Sequence, residues 1–97
     1  MLYNVHHAIH PTFGFKVEQN PAFNFENYSH VASVECDSLN HVYEVTNHIS
    51  RDWTTNPEVK WRRGDGANTR STSCGDVILE KDSGKKFMVL GAGFGEI

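Results

Sequence analysis

An α+β domain is the fold this sequence predicts: a mainly antiparallel sheet of about four strands, packed against one helix and ending in a β-hairpin. Three observations carry it. Residues 2–9 and 30–36 alternate between two side-chain sets at the strand period. Residues 38–50 place apolar side chains at the helical period. Two β-rich runs, residues 77–80 and 86–90, flank Asp82-Ser83-Gly84-Lys85, a hairpin signal. Strands, then a helix, then further strands put sheet and helix in separate layers.

Each element has its own justification. In residues 2–9, Leu2, Asn4, His6 and Ala8 face one way, and Tyr3, Val5, His7 and Ile9 the other. Pro11 and Gly14 then stop the strand. Residues 10–29 read as a long loop that carries Phe13, Phe15, Phe23 and Phe25. Burying one phenylalanine is worth roughly 1.5–3 kcal/mol, so these rings are expected to pin the loop to the core. In residues 30–36, Val31, Ser33 and Glu35 alternate with Ala32, Val34 and Cys36. Asp37 or Ser38 supplies an N-cap oxygen. Leu39, Val42, Tyr43, Thr46 and Ile49 then share one helix face, and His41, Glu44 and His48 lie on the other side.

Residues 51–70 lack apolar periodicity and contain Pro57, Gly64 and Gly66, which predicts a long loop. Residues 70–76 read as a turn capped by hydroxyls. Residues 91–97 finish the second hairpin arm with Phe94 and Ile97.

At 97 residues the chain suits a single domain spanning 1–97. Its 38% hydrophobic and 22% charged content is that of a globular protein rather than a disordered one. No apolar run approaches the roughly 18 residues of a membrane span. The first residues lack the charged and apolar regions of a signal peptide, so a cytoplasmic location without membrane contact is expected. The net charge of −3 hides an asymmetry. Residues 1–50 hold one base, Lys16, against five acids, whereas Lys60, Arg62, Arg63 and Arg70 face only Asp65 within residues 60–70. Cys36 and Cys74 are too few for a disulfide scaffold. They read as small, partly buried residues, with a Cys36–Cys74 bridge or a reactive thiol as the alternatives.

Thr46-Asn47-His48-Ile49, Trp53, Asn56-Pro57, Arg70-Ser71-Thr72-Ser73-x-Gly75-Asp76-Val77 and Gly93-Phe94 occur in an order that resembles a group of small phage- and plasmid-encoded proteins. The ending is similar to the YodL-like domain, where a Ser-rich turn with Asp-Val precedes a final hairpin closing on Gly-Phe. The resemblance covers residues 30–97. It implies a small accessory protein of a virus or mobile element, working in the host cytoplasm, and it brings no catalytic residue.

No chemistry is forced by spacing. His6 and His10 on one straight strand face lie roughly 13 Å apart, too far to share a zinc ion unless the strand bends, whereas on a helix they would sit at i, i+4 and could chelate. His41 and His48 are about 10.5 Å apart along a helix, with Glu44 between them. Hydrogen-bonded or solvated histidines are therefore expected, and no metal site. Ser71, Thr72, Ser73 and Cys74 lack a nucleophile motif and a placed histidine, so no catalytic residue is assigned. Gly91-Ala92-Gly93-Phe94-Gly95 opens no helix, so no dinucleotide or other cofactor is expected.

The sharpest candidate is a binding surface formed by Trp53, Lys60, Trp61, Arg62, Arg63 and Arg70 with Ser71, Thr72, Ser73 and Asp76. Trp and Arg together suit a protein partner, here a host or defence-system protein. The alternative is a nucleic acid, with bases on the tryptophans and phosphates on the cations. Exposed strand edges at residues 2–9 or in the final hairpin also permit a homodimer.

Overall fold

The alternation read in residues 2–9 forms the middle of a sheet. The computed structural model describes residues 1–9, 25–47, 52–63, 70–91 and 93–97. They contain strands β1 (Leu2–Ala8), β2 (Tyr28–Glu35), β3 (Val59–Arg62), β4 (Val77–Glu80), β5 (Lys86–Leu90) and β6 (Gly93–Glu96). One α-helix, α1 (Leu39–Val45), follows β2, and short 3-10 turns occupy Phe25–Asn27 and Trp53–Thr55. The strands form one sheet in the order β3-β2-β1-β4-β5-β6. Every neighbouring pair is antiparallel.

The α+β class and the antiparallel sheet are as expected, but the sheet has six strands rather than about four. The first additional strand is β3, inside the segment expected to be loop. Four residues with a single aliphatic side chain, Val59, give too short a pattern to register as a period. The second is β6. The expected final arm breaks after Leu90 and returns as a separate strand, so the chain ends in a three-stranded meander. Gly93, at φ 113°, supplies a backbone conformation that L side chains rarely adopt.

The helix is shorter than the expected 38–50. Ser38 caps it by accepting from the His41 N–H at 3.2 Å. At its end Thr46 Oγ1 donates to the Val42 carbonyl at 2.8 Å, and the Asn47 amide donates to the Tyr43 carbonyl. Side chains thus take over the last carbonyls. Residues 48–50 lie outside the described residues, as do Phe13, Phe15 and Phe23. The buried helix positions are Val42, Val45 and Thr46, so the stripe is turned away from Tyr43, which is exposed. Among the described residues no helix is long and apolar enough to cross a membrane.

One core cluster joins Tyr3 and Val5 of β1, Val31, Ala32 and Val34 of β2, Val42 and Val45 of α1, Trp53, Ile78 and Val89. Trp53 is fully buried, so it is a core residue rather than part of a binding surface.

Two register shifts decide what the opposite face carries. Ala32 pairs with Val5 but His30 pairs with His6, so Val31 is an extra residue in β2. Both Val31 and Ala32 are therefore buried, and His30 is turned to the face of His6. In β3, Ser33 pairs with Trp61 but Val34 pairs with Val59, so Lys60 is extra. The outcome is a row across three strands. The rings of His6 and His30 are 4.9 Å apart, and those of His30 and Trp61 are 4.6 Å apart.

The two tryptophans should separate in stability measurements. Trp53→Ala should cost about 3–5 kcal/mol in urea unfolding, as expected for a large core truncation. Trp61→Ala should cost less than about 1 kcal/mol, because the residue is 47% exposed. Equal losses would refute this assignment.

Candidate functional site

The turn before β4 is built around one carboxylate. Gly75 at φ 92° lets the chain reverse, and the Asp76 side chain points fully inward. Its Oδ1 accepts from the Ala8 N–H and from Arg70 Nη2, both at 2.8 Å. Its Oδ2 accepts from Arg70 Nη1 at 2.7 Å and from the Ser73 N–H at 2.8 Å. The arginine fork is bidentate, the strong form of this pair. Arg70 also donates to the carbonyls of Ala8 and Ser71 and to Ser73 Oγ. The Arg70 carbonyl in turn accepts from Trp53 Nε1 at 3.0 Å. The Thr72 N–H donates to the Thr46 carbonyl at 2.9 Å, and Tyr28 donates to the Gly75 carbonyl at 3.0 Å. One turn thus holds the end of β1, the start of β2, the end of α1 and the core tryptophan.

His7 lies against this turn. Its Nε2 is 2.9 Å from Thr72 Oγ1 and 3.9 Å from Asp76 Oδ2. Burial pushes its pKa down to about 4, against the pull of Asp76 and with help from Arg70 and Arg63. The ring is therefore neutral at pH 7. A catalytic relay needs one imidazole nitrogen on the nucleophile and the other on the carboxylate. Here a single nitrogen faces both, and Thr72 is buried at 1% exposure, out of a substrate's reach. The contact of His7 with Thr72 ties β1 to the turn.

Beside the turn opens a cleft of about 250 Å³, lined by His7, Ala8, Ile9, Ser29, Val31, Arg63 and Arg70. Arg63 follows β3, where its N–H donates to the Val31 carbonyl at 2.9 Å. Its guanidinium is exposed and donates through Nη1 to Ser29 Oγ.

The candidate surface read from sequence is thus divided. Arg63 and Arg70 meet at the cleft, and Ser71, Thr72, Ser73 and Asp76 form the turn behind it. Trp61 stands on the opposite face of the sheet beside His30. Lys60 is exposed, with Nζ donating to the Pro57 carbonyl at 3.3 Å. Arg62 is half-buried opposite Ala32. Trp53 belongs to neither group.

Sequence reasoning missed Ser29 as a cleft residue and His6–His30 as the support of Trp61. No local pattern reports such partners; the β2 bulge creates the second arrangement. Burial lowers the pKa of His6 to about 4, with His30 adding to the shift, and burial lowers that of His30 as well. His6 and His7 belong to opposite faces of β1, so they do not share a ligand. His10 and His48 lie outside the described residues. Among the described residues no three His, Cys, Asp or Glu converge on a metal position. His41 pairs with Glu58 at 3.5 Å. Both cysteines are thiols, which removes the Cys36–Cys74 bridge. Burial, then the neighbouring carboxylates, pushes the Cys36 thiol up to about 12, so it is protonated and inert at pH 7.

No protein-family model matches this sequence, and neither a curated protein nor a solved structure matches it.

Acid should destabilise the fold through these histidines. Their folded pKa values, about 4 for His6 and His7, lie below the ordinary 6.5 of an unfolded chain. The unfolded state therefore binds more protons between those values, and stability falls as pH drops through that window. For His7 the full loss is about 3 kcal/mol. Urea unfolding at pH 7 and pH 4.5 should show the fall, and His7→Gln should reduce its slope. A slope unchanged in that variant would contradict the assignment.

Proposed function

We propose that this chain is a small non-enzymatic accessory protein of a phage or mobile element that binds a host or defence-system protein in the host cytoplasm. The mobile-element origin rests on the sequence resemblance. The binding reading rests chiefly on Trp61. It is a large aromatic, 47% exposed, on a strand at the margin of the sheet. Its ring is backed by His30, which is backed by His6, so little side-chain freedom is lost when a partner covers it. Exposed Lys60 and Arg63 flank it in sequence. Trp and Arg are the residue types that dominate interface energetics. The outer edge of β3 adds backbone groups able to pair with another strand, from a partner or from a second copy of the chain.

A second reading has its own support. An exposed tryptophan next in sequence to a lysine and two arginines is also a platform for a base of single-stranded nucleic acid. The two readings separate in one experiment. Tagged wild type and Trp61→Ala are used to capture partners from host lysate, with and without nuclease. The expected result is a discrete protein, insensitive to nuclease and depleted at least about tenfold by the substitution. Capture that vanishes with nuclease favours nucleic acid. The same proteins held equally by both forms would overturn the role of Trp61.

A further inference from the structure

The cleft beside Asp76 has a charge balance that defines what fits it. Among the described residues its lining holds two arginines and no carboxylate. Arg70 is already matched by Asp76 through both terminal nitrogens. Its charge is neutralised, and its fork faces the turn. His7 is uncharged at neutral pH, since burial lowers its pKa to about 4. Among the described lining residues Arg63 therefore supplies the net positive charge. Among the described residues no carboxylate pairs with it. Ser29 Oγ accepts from Arg63 Nη1, which leaves the serine proton able to donate beside the guanidinium. The remaining walls, Ala8, Ile9 and Val31, are apolar. A volume of about 250 Å³ exceeds what a bare ion fills and lies just below the range of drug-sized ligand pockets, which suits a short ligand.

We propose that this cleft binds a carboxylate carried on a short apolar body, with the carboxylate on Arg63 and Ser29 and the apolar part against Ala8, Ile9 and Val31. One uncompensated guanidinium suits a monoanion, and its planar fork matches a carboxylate. A phosphate dianion would bring a second charge with no partner in the lining. The ligand has two sources of the same chemistry: a free short-chain acid, or the terminal residue of a polypeptide. The inference goes beyond the Trp61 surface and does not depend on it.

The test is a titration followed by backbone amide NMR shifts. The probes are hexanoate, hexanamide, inorganic phosphate, and a pentapeptide ending in valine with a free or amidated terminus. Saturable shifts are expected at Ala8, Ser29, Val31 and Arg63 with hexanoate, the free-terminus peptide, or both. The uncharged amides should bind at least about tenfold more weakly. Arg63→Gln should abolish the shifts while leaving the rest of the spectrum in place. Trp61→Ala should not alter them, so failure here and failure of the partner-binding reading are distinguishable. Tighter binding of the peptide than of hexanoate identifies a polypeptide terminus as the source, and the reverse identifies a small acid. The proposal is overturned if neither carboxylate gives saturable shifts up to about 10 mM, where binding free energy falls below roughly 3 kcal/mol. It is equally overturned if the amides bind as well, if Arg63→Gln binds normally, or if phosphate binds more tightly.

Discussion

A carboxylate taken wholly out of water must be given partners, and the way Asp76 finds them organises this protein. An isolated buried charge is prohibitively costly, so the group is retained only with good geometry. Asp76 has that geometry: two backbone N–H groups and a bidentate guanidinium satisfy both oxygens. The partners come from distant parts of the chain. Ala8 lies at the end of the central strand, and Arg70 reaches back from a residue whose carbonyl holds Trp53. The electrostatic requirement of one side chain therefore fixes where β1, the turn before β4 and the core tryptophan meet.

Two consequences follow for the surface. On the side of the turn, Asp76 neutralises Arg70 and His7 stays uncharged, so among the described residues lining the cleft the net positive charge is that of Arg63. On the other face of the sheet the two bulges, at Val31 and Lys60, align His6, His30 and Trp61 into a row, with His6 and His30 stacked and Trp61 tilted against His30. The two proposed sites thus differ in chemistry: a guanidinium with apolar walls in the cleft, and an exposed tryptophan backed by histidines on the opposite face.

Much of the frame was legible in the sequence. Period-two alternation marked β1 and β2, the Asp-Ser-Gly turn marked β4 and β5, and Ser38 was one of two N-cap choices. The marginal strands were not legible, for physical reasons. Val59–Arg62 is too short to show a period, and Gly93–Glu96 is half glycine. A bulge leaves no sequence mark at all, yet the one at Val31 turns His30 from one face to the other. Composition could not distinguish Trp53 from Trp61, because burial is decided by tertiary packing. Arg70, Thr72 and Asp76 stood out as a capping turn. Their partners, Ala8 and His7, lie more than 60 residues away, beyond any local pattern.

The central claim is that the Arg70–Asp76 pair is coupled and holds this junction together. A double-mutant cycle tests it directly, with Arg70→Met, Asp76→Asn and the double variant unfolded in urea at pH 7. Removing one partner of a buried pair should cost about 3–5 kcal/mol. The double variant should cost less than the sum of the two by more than about 2 kcal/mol, the signature of direct contact. Additive losses, within about 0.5 kcal/mol, would contradict the account.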